Sequence, residues 1–198
     1  SGNEAGIADY LVRFAEDRGL ECRRDELNNV LIKAPASLGY ENEPAVLLQG
    51  HTDMVCEQNS GTGHDFLNDP LDLYVEDGWL RARGTTLGAD DGIAVAVMLA
   101  LLDGEAPEHP ALECLFTVEE ETGLTGAAGF DYSHIKARRM INMDSEGEGI
   151  AVVGCAGGMR SVIMISAQRV PAAGEVISLK VIGLMGGHSG MEIGCGRA

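Results

Sequence analysis

Positive charge is scarce in this sequence: 14 Lys and Arg stand against 31 Asp and Glu, a formal net charge of −17. Nucleic acid is therefore not an expected partner, because phosphate binding needs a basic face. No run of ~18 apolar residues occurs, so no membrane-spanning helix is expected. No charged-then-apolar signal opens these 198 residues either, and no export segment is expected. The five cysteines, at positions 22, 56, 114, 155 and 195, are odd in number and form no CxxC pair. That pattern predicts free thiols rather than a disulfide framework, and the cytoplasm as compartment. Cys114 sits in an apolar run, where a thiol behaves as a small hydrophobe.

What is present argues for a folded chain. Hydrophobic residues make up 45% of the sequence, enough for a core. The length suits one domain, or one domain and the start of another. The 27 glycines point to many tight turns. Most of the acids fit a solvated surface, but a few stand where solvation explains them poorly.

Along the chain, residues 4–18 have the spacing of an amphipathic helix, with Ile7, Leu11 and Phe14 on one face and Gly19 as its stop. Asn29 to Lys33 reads as a short strand. The apolar run from Ala45 to Leu48 reads as a strand buried on both faces, and it ends in His51-Thr52-Asp53. Asp77-Gly78 between two short runs predicts a hairpin, with Trp79 packing in it. Gly88-Ala89-Asp90-Asp91-Gly92 opens a helix whose body, Ile93 to Leu102, is apolar nearly all round and is expected to be deeply packed. Leu112 to Val118 predicts a strand running into Glu119-Glu120-Glu121, and Met140 to Met143 another ending at Asp144. Strands alternating with helices predict an α/β layer fold. After about Gly157 the texture changes to strands without helices, 160–167 and 176–184. A boundary is expected there, giving domains 1–157 and 158–198.

Three apolar strands thus end in a metal-type ligand, His51, Glu121 or Asp144, and Asp90 stands at the start of a helix. In open α/β sheets, ligands bind beyond the carboxyl ends of the strands. The pattern gathers one imidazole and several carboxylates into one crevice, where like charges repel unless cations sit among them. Such a donor set suits zinc, with manganese or cobalt as alternatives. Each piece alone has an ordinary explanation: a structural His, Asp90 as a helix cap, a solvated run of Glu. Their coincidence in one register with the strands is what points to a metal site. His64, His109 and His134 lie in loops and are expected to have no direct role.

The motifs His51-Thr52-Asp53, Gly88-Ala89-Asp90-Asp91-Gly92, Glu119-Glu120-Glu121-Thr122-Gly123, Asn142-Met143-Asp144 and Gly186-Gly187-His188-Ser189-Gly190 occur in the order found in the co-catalytic zinc peptidases. The chain resembles that family, which includes carboxypeptidase G, aminoacylase and carnosinase. Gly84 to Gly92 and Gly154 to Gly158 are most similar to its aminoacyl-histidine dipeptidase subgroup. The resemblance implies a mixed sheet flanked by helices, followed by the start of a smaller α+β lid or dimerisation domain. It implies two zinc ions, with Asp90 bridging, His51 and Asp144 on one ion and Glu121 on the other. It implies Glu120 as the general base that activates a water. Asp53 would orient the His51 ring through its other nitrogen. His188 would donate to the tetrahedral oxyanion. The implied activity is hydrolysis of dipeptides, Xaa-His among them, by a homodimer.

The second metal site of relatives also takes a His from a carboxyl-terminal segment that this sequence does not contain. The expectation is therefore an amino-terminal part of a longer dipeptidase. The alternatives are an amidohydrolase for N-acyl amino acids and a non-catalytic, metal-binding fragment.

Overall fold

The computed structural model describes residues 2–106, 108–145, 147, 149–154, 161–166, 168, 174–185 and 194–196. The chain divides into two compact units, Ser1–Val153 and Gly154–Ala198. The boundary expected at Gly157-Gly158 lies outside the described residues.

In the first unit the expected opening helix forms as α1 (Ala5–Asp17), with Ala8, Leu11, Phe14 and Ala15 on its buried stripe. Two strands follow, β1 (Glu21–Arg24) and β2 (Val30–Ala34), then β3 (Val46–His51). The hairpin is β4 (Leu73–Glu76) and β5 (Trp79–Ala82). Its two central residues, Asp77 and Gly78, have φ of 52° and 81°, the backbone that a tight two-residue hairpin turn requires. After α2 (Ala89–Leu102) come β6 (Leu112–Thr117), the short helix α3 (Thr125–Gly129), a single 3-10 turn over Tyr132–His134, and β7 (Arg139–Asn142).

Five strands make one mixed sheet in the order β1-β2-β6-β3-β7. β1, β2 and β6 pair antiparallel, whereas β6, β3 and β7 run parallel. The parallel register sets His51 level with Thr117 and Gln49 level with Asn142. The carboxyl ends of the three parallel strands therefore meet at one edge of the sheet.

Helices and sheet bury each other by alternation. Val30, Ile32, Leu48, Cys114 and Phe116 face α1 and α2. Leu31, Leu47 and Leu115 face Phe130, Ile135 and Ala137 on the other side. Every residue of β6 is buried, as the central strand of a sheet covered on both faces must be. Its one acid, Glu113, is satisfied because the backbone N–H groups of Lys136 and Ala137 donate to its carboxylate at 3.0 and 2.9 Å. Among the described residues, Cys22, Cys56, Cys114 and Cys195 are free thiols, and no helix is long and apolar enough to cross a membrane.

Three expectations need correction. α2 is not deeply packed all round: Ala94, Met98 and Leu102 are buried, while Ile93 is 63% exposed and Val97 40%. A helix lying on a sheet hides one stripe, and no further layer among the described residues covers the outer side. Trp79 is not buried in the hairpin either, being 68% exposed, since a two-stranded ribbon has no layer of its own to pack against. In the second unit, the described parts of the strands expected over 160–167 and 176–184 carry no ladder. Apolar patterning gives a segment a face to bury, but a strand exists only by pairing.

Candidate metal centre

The site grows from the end of β3. His51 is 1% exposed, and its ring is fixed from one side: Nδ1 lies 2.9 Å from the main-chain oxygen of Asp53 and 3.4 Å from its carboxylate. With the Nδ1 proton donated there, Nε2 turns its lone pair outward. It faces Asp90 Oδ1 at 3.1 Å, Asp144 Oδ2 at 3.9 Å and Glu120 Oε2 at 4.0 Å.

Each carboxylate arrives on its own element. Asp144 follows β7 directly, where pairing continues through the Met143 N–H donating to Gln49 O at 3.0 Å. Asp90 stands at the head of α2, with non-helical backbone angles and a cis peptide bond to Asp91. The helix comes down close to β3 because residue 50 is glycine. A Cβ there would meet Asp91 Oδ2 at 2.5 Å and Ala94 Cβ at 2.6 Å, contacts that no side chain tolerates. Glu120 and Glu121 lie on the turn after β6. Asp53 holds that turn: its two carboxylate oxygens accept from Glu120 N at 3.0 Å and Glu121 N at 3.2 Å.

Two groups of donor atoms converge within 4.8 Å, His51 with Asp90 and Asp144, and His51 with Glu120 and Glu121. The structure thus brings together all of His51, Asp53, Asp90, Glu120, Glu121 and Asp144. Asp53 reaches the ring nitrogen chiefly through its main-chain oxygen, while its carboxylate serves the Glu120-Glu121 backbone. His188 lies outside the described residues.

The electrostatics test whether a cation fits. Burial disfavours a charged His51, yet Asp53, Asp90, Asp144 and Asp91 outweigh it and raise the pKa above the usual imidazole value. Burial raises the Glu120 carboxyl, reinforced by Asp144, Glu121 and Asp53 and opposed by His51. Burial and Asp90 likewise raise Glu121. The site is a place where negative charge is crowded and a positive charge is favoured, by a proton on His51 or by a metal. One borderline nitrogen and several carboxylate oxygens fit zinc and its first-row neighbours.

Sequence reasoning gave no role to Asp91. It is 2% exposed, its Oδ2 accepts from His51 N at 3.2 Å, and burial first, then Asp144 and Asp90, push its pKa up to about 6. The paired Asp90-Asp91 carried the signal, but a second Asp at a helix start reads as a cap. The three loop histidines are otherwise engaged: His109 Nδ1 lies 2.8 Å from Pro110 O, His134 pairs with Asp131 at 3.2 Å, and His64 stacks edge-on against Phe66.

Comparison with known proteins bears on this geometry. The chain is 45% identical to the cytosol non-specific dipeptidase of Escherichia coli over 99% of its own length and 41% of that protein's. It therefore spans well under half of the curated relative it matches. The crystal structure of aminoacylhistidine dipeptidase from Vibrio alginolyticus, at 45% identity, aligns with a TM-score of 0.72 over 75% of this chain and 30% of that one. Aminopeptidase PepT from Bacillus cereus aligns with a TM-score of 0.60 at 26% identity, over 74% of this chain and 39% of that one. The sequence profile described as peptidase family M20/M25/M40 matches residues 47–189, from β3 past the last of the acidic motifs. With that match lying over the strand ends that carry His51, Glu121 and Asp144 and over the head of α2 with Asp90, the chain belongs to peptidase family M20/M25/M40.

Proposed function

We propose that the protein carrying this chain is a dizinc dipeptidase of the cytoplasm, which hydrolyses the peptide bond of dipeptides, Xaa-His among them. The observation that supports this most is the setting of His51, a buried imidazole whose Nε2 looks onto Asp90, Asp144 and Glu120 within 4.0 Å. His51, Asp90 and Asp144 are assigned to one zinc, Glu121 to the other, and Asp90 to both. Zinc held there would supply a water of lowered pKa and would polarise the scissile carbonyl. Glu120 takes the proton from the attacking water and passes it to the leaving amine. Asp53 keeps the His51 ring and the Glu120-Glu121 backbone in fixed relation, so the base meets the water without reorganising. His188 is assigned as a donor to the tetrahedral oxyanion, and a homodimer as the working assembly.

Glu120→Gln in the full-length protein tests the assignment. Turnover of dipeptides is expected to fall by about 10²–10⁴-fold while zinc content stays at the unsubstituted level. Undiminished turnover would sink the base assignment. A panel of Xaa-His dipeptides, other dipeptides and N-acyl amino acids defines the substrate class. Preference for the N-acyl compounds would replace the dipeptidase reading with an amidohydrolase one.

A further inference from the structure

The turn that carries Glu120 and Glu121 is held from inside by Asp53, and it is also held from outside. Its neck is the pair Val118 and Gly126, joined where Gly126 N donates to Val118 O at 3.1 Å. Across that neck lies the side chain of Asn29, just ahead of β2 and 0% exposed. Asn29 Oδ1 accepts from Val118 N at 3.2 Å, and Nδ2 donates to Gly126 O at 3.0 Å. One amide thus binds both ends of the turn and closes a ring of hydrogen bonds with the Gly126–Val118 contact.

The orientation of that amide is fixed in turn. Nδ2 also donates to Asp25 Oδ2 at 2.7 Å, while Asp25 Oδ1 accepts from Leu27 N and Asn29 N at 2.9 and 2.8 Å. With both donors of Nδ2 committed to acceptors, Oδ1 has to face the Val118 N–H. Glycine at 126 leaves the room: a Cβ there would meet Val118 O at 2.4 Å and Asn29 Oδ1 at 2.5 Å. The turn itself includes Glu119 and Leu124 at φ of 51° and 62°, backbone that L side chains adopt only where the surroundings impose it.

We propose that Asn29 is a positioning residue for the acidic turn: by spanning Val118 and Gly126 it sets the Glu120 and Glu121 carboxylates against His51. Asp25 acts through it, holding the Asn29 amide in the one orientation that serves both ends. The assignment rests on the reading of Glu120 as base and Glu121 as ligand, and in such sites a misplacement of about 1 Å costs on the order of 10²-fold in rate.

Three substitutions in the full-length protein test it. Asn29→Ala removes the clamp. Asp25→Asn leaves the shape in place but offers one acceptor oxygen where three N–H groups use two. Leu11→Ala, in the α1 core, is the control for a simple loss of stability. In the metal-free protein, amide hydrogen exchange over residues 118–126 is expected to rise at least about tenfold further in Asn29→Ala and Asp25→Asn than in Leu11→Ala. Zinc affinity is expected to fall about 10–100-fold, and kcat with it, while KM changes little. The proposal is overturned if exchange and zinc affinity in these two variants only track the Leu11→Ala control. If Asn29→Ala does not fold, Asp25→Asn decides alone. Absence of dipeptide hydrolysis in the unsubstituted protein overturns the function assigned above, and the exchange comparison then decides on Asn29 by itself.

Discussion

The two halves of the main sheet do different work at the same edge. In the parallel half, β3, β6 and β7 all point one way, so their ends deliver His51, the Glu120-Glu121 turn and Asp144 together. In the antiparallel half, β2 runs against β6, with Val30 opposite Phe116, so the start of β2 lies beside the end of β6. That reversal brings Asn29, a hydrogen-bonding amide rather than a charge, to the neck of the acidic turn. The parallel half concentrates like charges that repel in the absence of a cation, and the antiparallel half supplies neutral hydrogen bonds that keep them in place.

The largest expected effect breaks that contrast from the charged side. Asp90 raises the pKa of both Glu121 and Asp91 by its charge, and its own side chain is 72% exposed. On the reading of Asp90 as a metal ligand, Asp90→Ala is expected to abolish metal binding and to lower turnover by more than the ~10–100-fold that disturbing a supporting group costs. The metal-free protein is expected to melt close to the unsubstituted one, since the substitution relieves repulsion among the carboxylates, opens no cavity and gives up only the contact of a largely exposed Asp90 with His51 Nε2. Calorimetry of the chelated protein checks this, and a clear drop in Tm would mean that Asp90 holds the fold rather than a metal. Next in size is Gly50→Ala. The added Cβ meets Asp91 and Ala94 at 2.5 and 2.6 Å, so α2 has to move off β3, at about 1–3 kcal/mol, with zinc affinity lost alongside. Denaturant unfolding and metal titration on one sample separate the two losses.

The parallel half was the more legible of the two in sequence. Val46 to Leu48 and Leu112 to Phe116 are short runs, apolar but for Glu113, of the kind a buried strand shows, and a metal-type side chain after each is a local signal. The convergence of His51, Glu121 and Asp144 followed from the rule that parallel strands gather their carboxyl ends, and Asp90 joins them from the head of α2. β1 gave little signal because Glu-Cys-Arg-Arg offers the core a single half-buried side chain, Cys22, and its other three residues are exposed: backbone pairing to β2 does much of the holding. The place of β6 at the centre of the sheet was not legible either, since pairing partners are not encoded in local pattern. The grip of Asp53 on Glu120 and Glu121 crosses 67 and 68 residues, and that of Asn29 on Val118 crosses 89. No spacing within a motif reports such contacts. The apolar body of α2 misled for a related reason, because composition states what a helix is able to bury and not how many layers surround it.

β6 is the seam between the halves, and Cys114 in it measures how tightly that seam is closed. Burial pushes its thiol up from the ordinary value of 9.0 to about 12. The folded-state pKa is raised above that of the unfolded chain, so the neutral thiol's contribution to stability is complete below pH 9 and is lost as pH rises toward 12. Across that window the group subtracts up to about 1.4 kcal/mol per pH unit. Cys114→Ala is expected to be less stable at pH 7 through the lost methylene-sized volume, yet to show a shallower alkaline decline. Equal slopes for the two proteins in urea unfolding between pH 9 and 11 would show that water reaches the seam.

The smallest effect belongs to the outer side of the antiparallel half. Arg24 on β1 donates to Asp9 of α1 at 2.5 Å, with the two side chains 30% and 56% exposed. Water screens such a pair, and ordering two long side chains offsets much of what attraction remains, so Asp9→Asn is expected to lower stability by less than about 1 kcal/mol. It is also expected to leave zinc affinity and turnover unchanged, because Arg24 keeps its second partner, Asn28 Oδ1, at 2.5 Å, and the loop leading to Asn29 stays in place. The result bears on the comparison of halves through that loop. If Asp9→Asn weakens zinc binding while stability barely moves, the clamp on the acidic turn extends from Asn29 back through Asn28 and Arg24 to α1. The antiparallel half would then be coupled to the metal centre along its whole edge rather than at one amide.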